Sequence, residues 1–282
     1  MLLGLITAIS AVSAAAVCIG THAFDSLAWL WVLPVSAAGS FLGQLILAVL
    51  FLIMIGIPVD PDKPQQHDSP FYRRVIRVYA PLIMVLARVH IKTQGLEKTP
   101  EDGRFLLVCN HLSEADPVIL LHFFAGSQLA FISKKENKNM FIVGKIMHRI
   151  LCQLVDREND RRSLKTIIRC IQLLRDDEAS IAVFPEGYIR DDRKFHELRP
   201  GVFKIAQKAG VPIVVCTLHH TEKIFSNLRR YRPSHTELHL LEVIPAQALE
   251  GKTTVQIAEY VHGIMAADLG LGYIPAKPEE SA

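Results

Sequence analysis

Residues 104–116 have the sequence RFLLVCNHLSEAD, in which a run of apolar residues gives way at once to a polar loop. Residues 104–109 are short and apolar and have no helical spacing, which predicts a buried strand. Pro117 follows the loop, and proline is common at the first position of a helix. The stretch therefore predicts a strand, a loop and a helix in succession, which is the repeating pattern of an α/β sheet.

Short β-type runs alternate with helical patterns on the C-terminal side of this stretch. Further strands are expected at residues 129–133, 152–155, 180–184, 211–217 and 237–244. Helices are expected at residues 117–124, 139–150, 164–174, 202–209 and 253–269, the third with one apolar face made of Leu164, Ile167, Ile168, Ile171 and Leu174. This alternation predicts an α/β domain with a largely parallel sheet flanked by helices.

The first 62 residues contain no lysine or arginine and carry two apolar runs, residues 2–19 and 27–59. Each run approaches or exceeds the ~20 residues that a membrane-spanning helix needs. We therefore expect the α/β domain to be preceded by N-terminal membrane helices. Two alternatives stay open: in one the first run is a signal peptide, although it lacks the basic start of one, and in the other both runs form a hairpin that never crosses the bilayer.

Basic residues begin directly after the second run, with Lys63, Arg73, Arg74 and Arg77. Cytoplasmic flanks of membrane helices are enriched in lysine and arginine. The sequence thus predicts an integral membrane protein whose α/β domain lies on the cytoplasmic face, at the cell inner membrane if the protein is bacterial.

Apolar residues recur at helical spacing in residues 71–89, and on that helix Arg73, Arg74, Arg77 and Arg88 fall within one arc. Such a helix either lies in the headgroup layer with its arginines on lipid phosphates or packs on the globular domain. The predicted organisation has four parts: a membrane anchor at 1–59, a linker and amphipathic interfacial helix at 60–89, the α/β domain, which carries any active site, at 90–275 and a disordered tail at 276–282.

Composition excludes some classes of protein. The formal net charge of +3 suits a surface that meets anionic lipid or a phosphate-bearing substrate, but it is too small to indicate nucleic-acid binding. The five cysteines are scattered without metal-ligand spacing, which predicts reduced, buried thiols.

His111 and Asp116 are candidates for a catalytic pair. An alcohol is a poor nucleophile while it keeps its proton, and a histidine held by a carboxylate can remove that proton. There is an ordinary alternative, in which Asp116 caps the following helix and Pro117 takes its first position. The loop by itself leaves both interpretations open.

Two more polar loops follow predicted strands, one at residues 155–157 (VDR) and one at residues 184–187 (FPEG). Arg157 offers a planar fork that matches phosphate oxygens, Glu186 can accept a hydrogen bond, and Gly187 lets the backbone approach a ligand closely. Taken singly, these are an ordinary surface charge and a turn. Three such loops at strand ends predict a ligand site at the carboxyl edge of the sheet.

These segments resemble those of the glycerolipid acyltransferases typified by 1-acylglycerol-3-phosphate acyltransferase. The NHxxxxD block of that family is matched by Asn110, His111 and Asp116. Residues 154–157 resemble its arginine-ending block, residues 184–187 its FPEG block and residues 211–214 its apolar strand with an early proline. The resemblance covers roughly residues 89–243, with the four blocks in the family's order.

The resemblance implies an O-acyltransferase of phospholipid biosynthesis or remodelling, with His111 as the base and Asp116 as its partner. The acyl donor would be acyl-CoA or acyl-carrier protein, and the acceptor a lysophospholipid, foremost 1-acylglycerol-3-phosphate. No metal or bound cofactor is needed, and the other partners are membrane lipids. The residues implied in substrate binding are Asn110, Arg157, Glu186, Gly187 and Arg190.

The third block departs from the family pattern, because Tyr188 and Ile189 precede Arg190 where the family has threonine and then arginine. Lys134, Lys135 and Lys204 are possible substitutes for the displaced arginine. The departure also supports an alternative function, a membrane-tethered lipid-binding protein that keeps the fold without turnover.

A metal hydrolase built on His111, Asp116, His219 and His220 is a weaker alternative. Adjacent histidines on a strand face opposite sides, so His219 and His220 cannot both serve one ion there.

Overall fold

The computed structural model describes residues 2–156, 160–189 and 195–271. They form two compact units, Met1–Asp62 and Lys63–Ala282. The predicted tail at 276–282 lies outside the described residues.

The first unit is a helical hairpin of α1 (Leu2–Gly20) and α2 (Trp29–Gly56). At 1.5 Å per residue, their 19 and 28 residues are about 28 and 42 Å long, enough to cross a hydrocarbon core of about 30 Å with little or no mismatch. Gln44 donates from Nε2 to Ser10 Oγ at 2.9 Å and to the Ile6 carbonyl at 3.3 Å, which joins the two helices. Two long apolar helices that pack on each other in this way indicate membrane association.

The second unit is built on a seven-stranded sheet with the order β1-β7-β6-β2-β5-β3-β4. Every neighbouring pair is parallel except β6 and β7. The predicted fold class is thus confirmed. The strands are β1 (Val89–Gln94), β2 (Leu106–Cys109), β3 (Leu129–Lys134), β4 (Gln153–Val155), β5 (Ser180–Val183), β6 (Ile213–His219) and β7 (Ser234–Ile244).

Seven helices accompany the sheet in the described part of this unit. They are α3 (Pro70–Leu86), α4 (Asp116–Phe123), α5 (Val143–Arg149), α6 (Asp160–Arg175), α7 (Lys204–Ala209), α8 (Ile224–Arg229) and α9 (Thr254–Asp268). The central strands β2 and β5 are buried along their whole length, as expected for strands covered on both faces. A core of aliphatic and aromatic side chains, among them Phe203, Ile205 and Val261, packs around them.

Some predicted elements differ in their bounds. The helix expected at 139–150 is shorter, because a 3-10 turn at Lys135–Asn139 precedes α5. Strand β1 and helix α8 were not predicted.

The buried face of α6 is rotated relative to the apolar face expected from sequence. Leu164 and Ile168 are exposed, while Thr166 and Cys170 are buried. The reason is a polar contact with the sheet, since the Thr166 hydroxyl donates to the Leu154 carbonyl on β4 at 2.7 Å. Thr166 is therefore buried on the face of α6 that contacts the sheet, whereas apolar periodicity predicts Leu164 and Ile168 there.

All five cysteines are buried and free, as predicted. Burial raises the pKa of Cys152 to about 11 and that of Cys170 to about 12, so these two thiols stay protonated at neutral pH.

Helix α3 packs on the domain through Tyr72, Val75 and Leu82. Arg73 is turned inward with it, and its guanidinium pairs with Asp68 and donates to the carbonyls of Gln128, Leu129 and Ile150. For Arg73 the structure thus supports the second alternative, in which the helix packs on the globular domain. Helical spacing alone groups Arg73 with the other arginines, but the carbonyls that it binds belong to two segments distant in sequence, residues 128–129 and residue 150.

Replacing Arg73 by methionine should destabilise the domain by about 3–5 kcal/mol, because Asp68 is left as an unpaired buried charge. Arg74→Met is the matched control, since Arg74 is exposed on the same helix and its loss should change the free energy of unfolding by no more than about 0.5 kcal/mol. Urea unfolding of the detergent-solubilised chain, followed by circular dichroism, measures both. Equal losses in the two variants would contradict the inward placement of Arg73.

Candidate active site

The candidate site lies where β2 and β5 end side by side. These strands are parallel, and Val108 pairs with Val183 in the sheet register. His111 comes three residues after Val108, and Glu186 comes three residues after Val183. Sheet register therefore brings the first and third blocks together at one carboxyl edge.

His111 and Asp116 form the pair expected from the sequence. The Nδ1 atom of His111 lies 2.9 Å from Oδ2 of Asp116, which is fully buried. The same oxygen accepts hydrogen bonds from the backbone amides of Leu112 and Ser113, each at 2.8 Å. The carboxylate acceptor beside Nδ1 favours the tautomer of His111 that carries its proton on Nδ1.

The helix-capping interpretation of Asp116 is wrong. Asp116 is the first residue of α4, the cap position belongs to Ala115, and no side chain caps this helix start. The Asp116 carboxylate points back into the loop and joins it to His111. Its Oδ1 atom is buried without a hydrogen-bond partner among the described residues, so the contacts of the Asp116 carboxylate with His111, Leu112 and Ser113 are all made by Oδ2.

The imidazole of His111 is fixed in plane by an aromatic neighbour. The ring of Phe184 stacks on it with centroids 3.9 Å apart and planes within 12° of parallel. The imidazole remains 17% exposed, and its Nε2 makes no hydrogen bond with any residue that the structure describes. This nitrogen therefore keeps its lone pair available at the surface of the domain, as a general base requires.

Glu186 is buried and joins three loop segments. Its Oε1 accepts from the His111 amide at 2.9 Å and its Oε2 accepts from the His196 amide at 3.0 Å. Burial raises the pKa of this carboxyl above its usual value, against the lowering effect of the two amide bonds. Sequence indicated Glu186 as a residue of the site, but the contact with the His111 backbone could not be read from it, because strand register was unknown.

Gly187 has a backbone φ of +92°, which L side chains rarely adopt. A β-carbon there would also lie 2.7 Å from Nε of Arg199, whose guanidinium covers this glycine. The close approach predicted at Gly187 is thus made by Arg199 in this structure.

Asn110 is fully buried and serves the fold of the loop. Its side-chain amide donates to the Leu218 carbonyl at 2.9 Å and its Oδ1 accepts from the Leu218 amide at 2.7 Å. These two bonds fasten the start of the loop to β6. A contact between Asn110 and substrate stays a prediction.

The other residues predicted to contact substrate either have different neighbours from the His111–Asp116 pair or lie outside the described residues. Arg157 and Arg190 lie outside the described residues. Lys135 reaches the second block, where its Nζ lies 3.1 Å from Oδ1 of Asp156. Lys134 faces Glu136 at 3.7 Å, and Lys204 is exposed at the start of α7.

Backbone amides before and at the start of α4 bind groups within the loop. Those of His111, Leu112 and Ser113 bind the two carboxylates, and that of Asp116 binds the Ser113 carbonyl at 3.0 Å. These four amides therefore hold His111 and Asp116 in place.

Comparison with known proteins places this geometry in a family. Residues 90–219 match the Acyltransferase family. A probable 1-acyl-sn-glycerol-3-phosphate acyltransferase of Mycoplasma pneumoniae is 30% identical over 183 residues, which cover 62% of this chain and 67% of that protein. The chain belongs to the Acyltransferase family.

Other relatives of this acyltransferase extend the likeness. A chloroplastic 1-acyl-sn-glycerol-3-phosphate acyltransferase of Arabidopsis thaliana is 30% identical over 62% of this chain and 48% of its own length. The alpha form of Ovis aries is 21% identical over 77% of this chain and 75% of its own length. The chain thus spans between about half and three quarters of these relatives.

The fold is shared with a solved acyltransferase. The crystal structure of a 1-acyl-sn-glycerophosphate acyltransferase from Thermotoga maritima superposes with a TM-score of 0.59 at 22% identity, over 70% of this chain and 78% of that one. At this identity the likeness concerns the fold.

Gly187→Ala should destabilise the domain by about 1–2 kcal/mol, because a β-carbon is strained at this φ. The flexible Arg199 side chain can move away, so adding Arg199→Ala to Gly187→Ala should not restore stability. Gly201→Ala, where nothing lies within 4 Å of the added carbon, is the control. Thermal unfolding of the three variants measures this, and full recovery in the double variant would show that crowding, not backbone strain, sets the cost.

Proposed function

We propose that this protein transfers a fatty acyl group from acyl-CoA or acyl-carrier protein to the free hydroxyl of a lysophospholipid, foremost 1-acylglycerol-3-phosphate, in phospholipid biosynthesis or remodelling. The observation that carries the proposal is the His111–Asp116 pair, with Nδ1 bound to a buried carboxylate and Nε2 left available. The names of the relatives supply the acceptor, and the four blocks of this chain lie within residues 90–219, which match the family.

In the proposed reaction His111 acts as the base. Its Nε2 takes the proton of the acceptor hydroxyl while the hydroxyl oxygen attacks the thioester carbonyl carbon. The tetrahedral intermediate then collapses, the carbon–sulfur bond breaks, and the protonated Nε2 returns its proton to the departing thiolate. Asp116 stabilises the imidazolium between these two steps. The products are an ester and a free thiol, so atoms and charges balance.

Glu186 supports the site through its contacts with the backbone. Both of its oxygens already accept a backbone amide, so its main contribution is to hold the His111 loop against the loop after β5. A carboxylate oxygen can accept a second bond, and a further contact with the acceptor, as the family resemblance implies, is compatible with this arrangement.

The acceptor's phosphate requires cationic partners, and Arg157 and Arg190 are the proposed ones. Lys135 is a further candidate, because it lies beside Asp156, the residue directly before Arg157. The catalytic domain is proposed to lie on the cytoplasmic side of the membrane. Lys63, Arg74 and Arg77 follow the apolar hairpin closely, and cytoplasmic flanks of membrane helices are enriched in lysine and arginine.

Acyl transfer should be measured with purified full-length protein in detergent, with radiolabelled oleoyl-CoA and a panel of lysophospholipids that includes 1-acylglycerol-3-phosphate. His111→Ala should lower kcat by about 10²–10⁴-fold, which is the usual contribution of general acid–base catalysis. His235→Ala, an exposed histidine on β7, should leave kcat unchanged.

Two results would count against the proposal. Transfer that persists in His111→Ala would remove the assigned base. Absence of transfer to any acceptor, repeated with acyl-carrier protein as donor, would favour the lipid-binding alternative, which predicts that the protein retains lysophospholipid without changing it.

Asp116→Asn should lower kcat strongly in the native chain but by less than about 3-fold in the His111→Ala background, because residues that act as a unit are not additive. Thermal unfolding of each variant checks that the loop remains folded. Independent, multiplying losses would mean that Asp116 acts on the reaction without His111.

A further inference from the structure

A second polar cluster lies at the ends of β6 and α9. His219 closes β6, His239 lies within β7, and Asp268 is the last residue of α9. The Nε2 atom of His219 is 2.7 Å from Oδ2 of Asp268, and Nδ1 of His239 is 3.0 Å from Oδ1 of the same carboxylate. Three separate elements thus bring two imidazoles onto one carboxylate.

The side chains of this cluster are largely shielded from solvent, at 17% exposure for His219, 14% for His239 and 22% for Asp268. Three ligand atoms, one from each residue, lie within 4.8 Å of one another. Ligands of a tetrahedral zinc ion, bonded at about 2.0–2.1 Å, are separated by about 3.3 Å. The two imidazole nitrogens lie 2.7 and 3.0 Å from oxygens of the Asp268 carboxylate, so these two separations have to lengthen by a few tenths of an ångström to admit such an ion.

The hydrogen bonds around the cluster match those that surround bound metals. Nε2 of His239, the nitrogen that faces away from Asp268, lies 3.0 Å from Oε2 of Glu237. The hydroxyl of Thr217 donates to Oδ2 of Asp268 at 2.5 Å. Metal-binding histidines usually give their second ring N–H to a carboxylate, and metal-binding carboxylates are themselves hydrogen-bonded.

The acidic groups of the cluster also favour a bound cation. His239 has a carboxylate oxygen near each ring nitrogen, Asp268 at Nδ1 and Glu237 at Nε2, so two acidic side chains surround one imidazole. Asp268 stands at the C-terminal end of a helix, where the helix dipole disfavours a negative charge and favours a positive one. A divalent ion on Nδ1 of His239 satisfies both conditions while Nε2 keeps its proton for Glu237.

We propose that His219, His239 and Asp268 bind one divalent transition-metal ion of the Zn²⁺ class, with Glu237 and Thr217 orienting two of the ligands. The ion joins the end of α9 to β6 and β7. Its ligand His219 directly follows Leu218, the residue to which Asn110 fastens the His111 loop. The ion takes no part in the proposed acyl transfer, so this inference stands or falls separately from the proposed function.

Cobalt binding tests the site directly. Full-length protein in detergent, freed of its affinity tag and of metal, is titrated with Co²⁺, which absorbs in the visible when tetrahedral, and then with competing Zn²⁺. We expect one ion per chain. His239→Ala and Asp268→Asn should each weaken binding by at least about 100-fold, and Glu237→Gln by about 10-fold.

Two controls separate this cluster from other ligands. His235→Ala removes an exposed histidine from the same strand and should bind as the native chain does. His111→Ala should also bind unchanged, which excludes the candidate active site as the origin of the signal. A folded native chain that binds no Co²⁺, or binding that survives in His239→Ala and Asp268→Asn alike, would overturn the proposal. The native titration decides even if a variant fails to fold.

Discussion

The parallel pairing of β2 with β5 is the constraint on which the candidate site depends. Backbone hydrogen bonds between these strands set Val108 opposite Val183, and the loops that follow the two strands therefore leave the sheet at the same level. Every later contact follows from that register: the amide of His111 reaches the Glu186 carboxylate, and Phe184 comes to lie flat on the imidazole. A slip of one residue would turn each side chain to the other face of the sheet and separate them.

Within the loop itself, Asp116 holds the backbone and the imidazole of His111 in position. Its buried carboxylate gathers two amides and an imidazole on one oxygen, which explains why a short polar stretch can hold a defined shape between a buried strand and a helix. The two carboxylates thus hold different parts of the loop. Glu186 binds the amide of His111 near its start, and Asp116 binds the amides of Leu112 and Ser113 within the turn. Asn110 anchors the same segment to β6 from inside the core.

Much of the fold could be predicted from the sequence, because alternating short apolar runs and amphipathic segments have few other solutions. The pairing of His111 with Asp116 was also accessible, since the two lie five residues apart in one loop. Contacts between segments distant in sequence were not: Phe184, Arg199 and the cluster around Asp268 depend on strand order and register. Arg73 shows a different limit, because helical periodicity groups it with exposed arginines while the carbonyls it binds belong to two other segments, residues 128–129 and residue 150.

The stacking of Phe184 on His111 restricts how reactants can approach. One face of the imidazole is covered by an aromatic ring 3.9 Å away, and rotation of the imidazole would break both this stack and the bond from Nδ1 to Asp116. In the proposed reaction the ring therefore cannot swing between two positions. The alcohol that loses its proton and the thiol that receives it have to visit the same point in space in turn, so the paths of the lipid and of the thioester converge on a single ring edge.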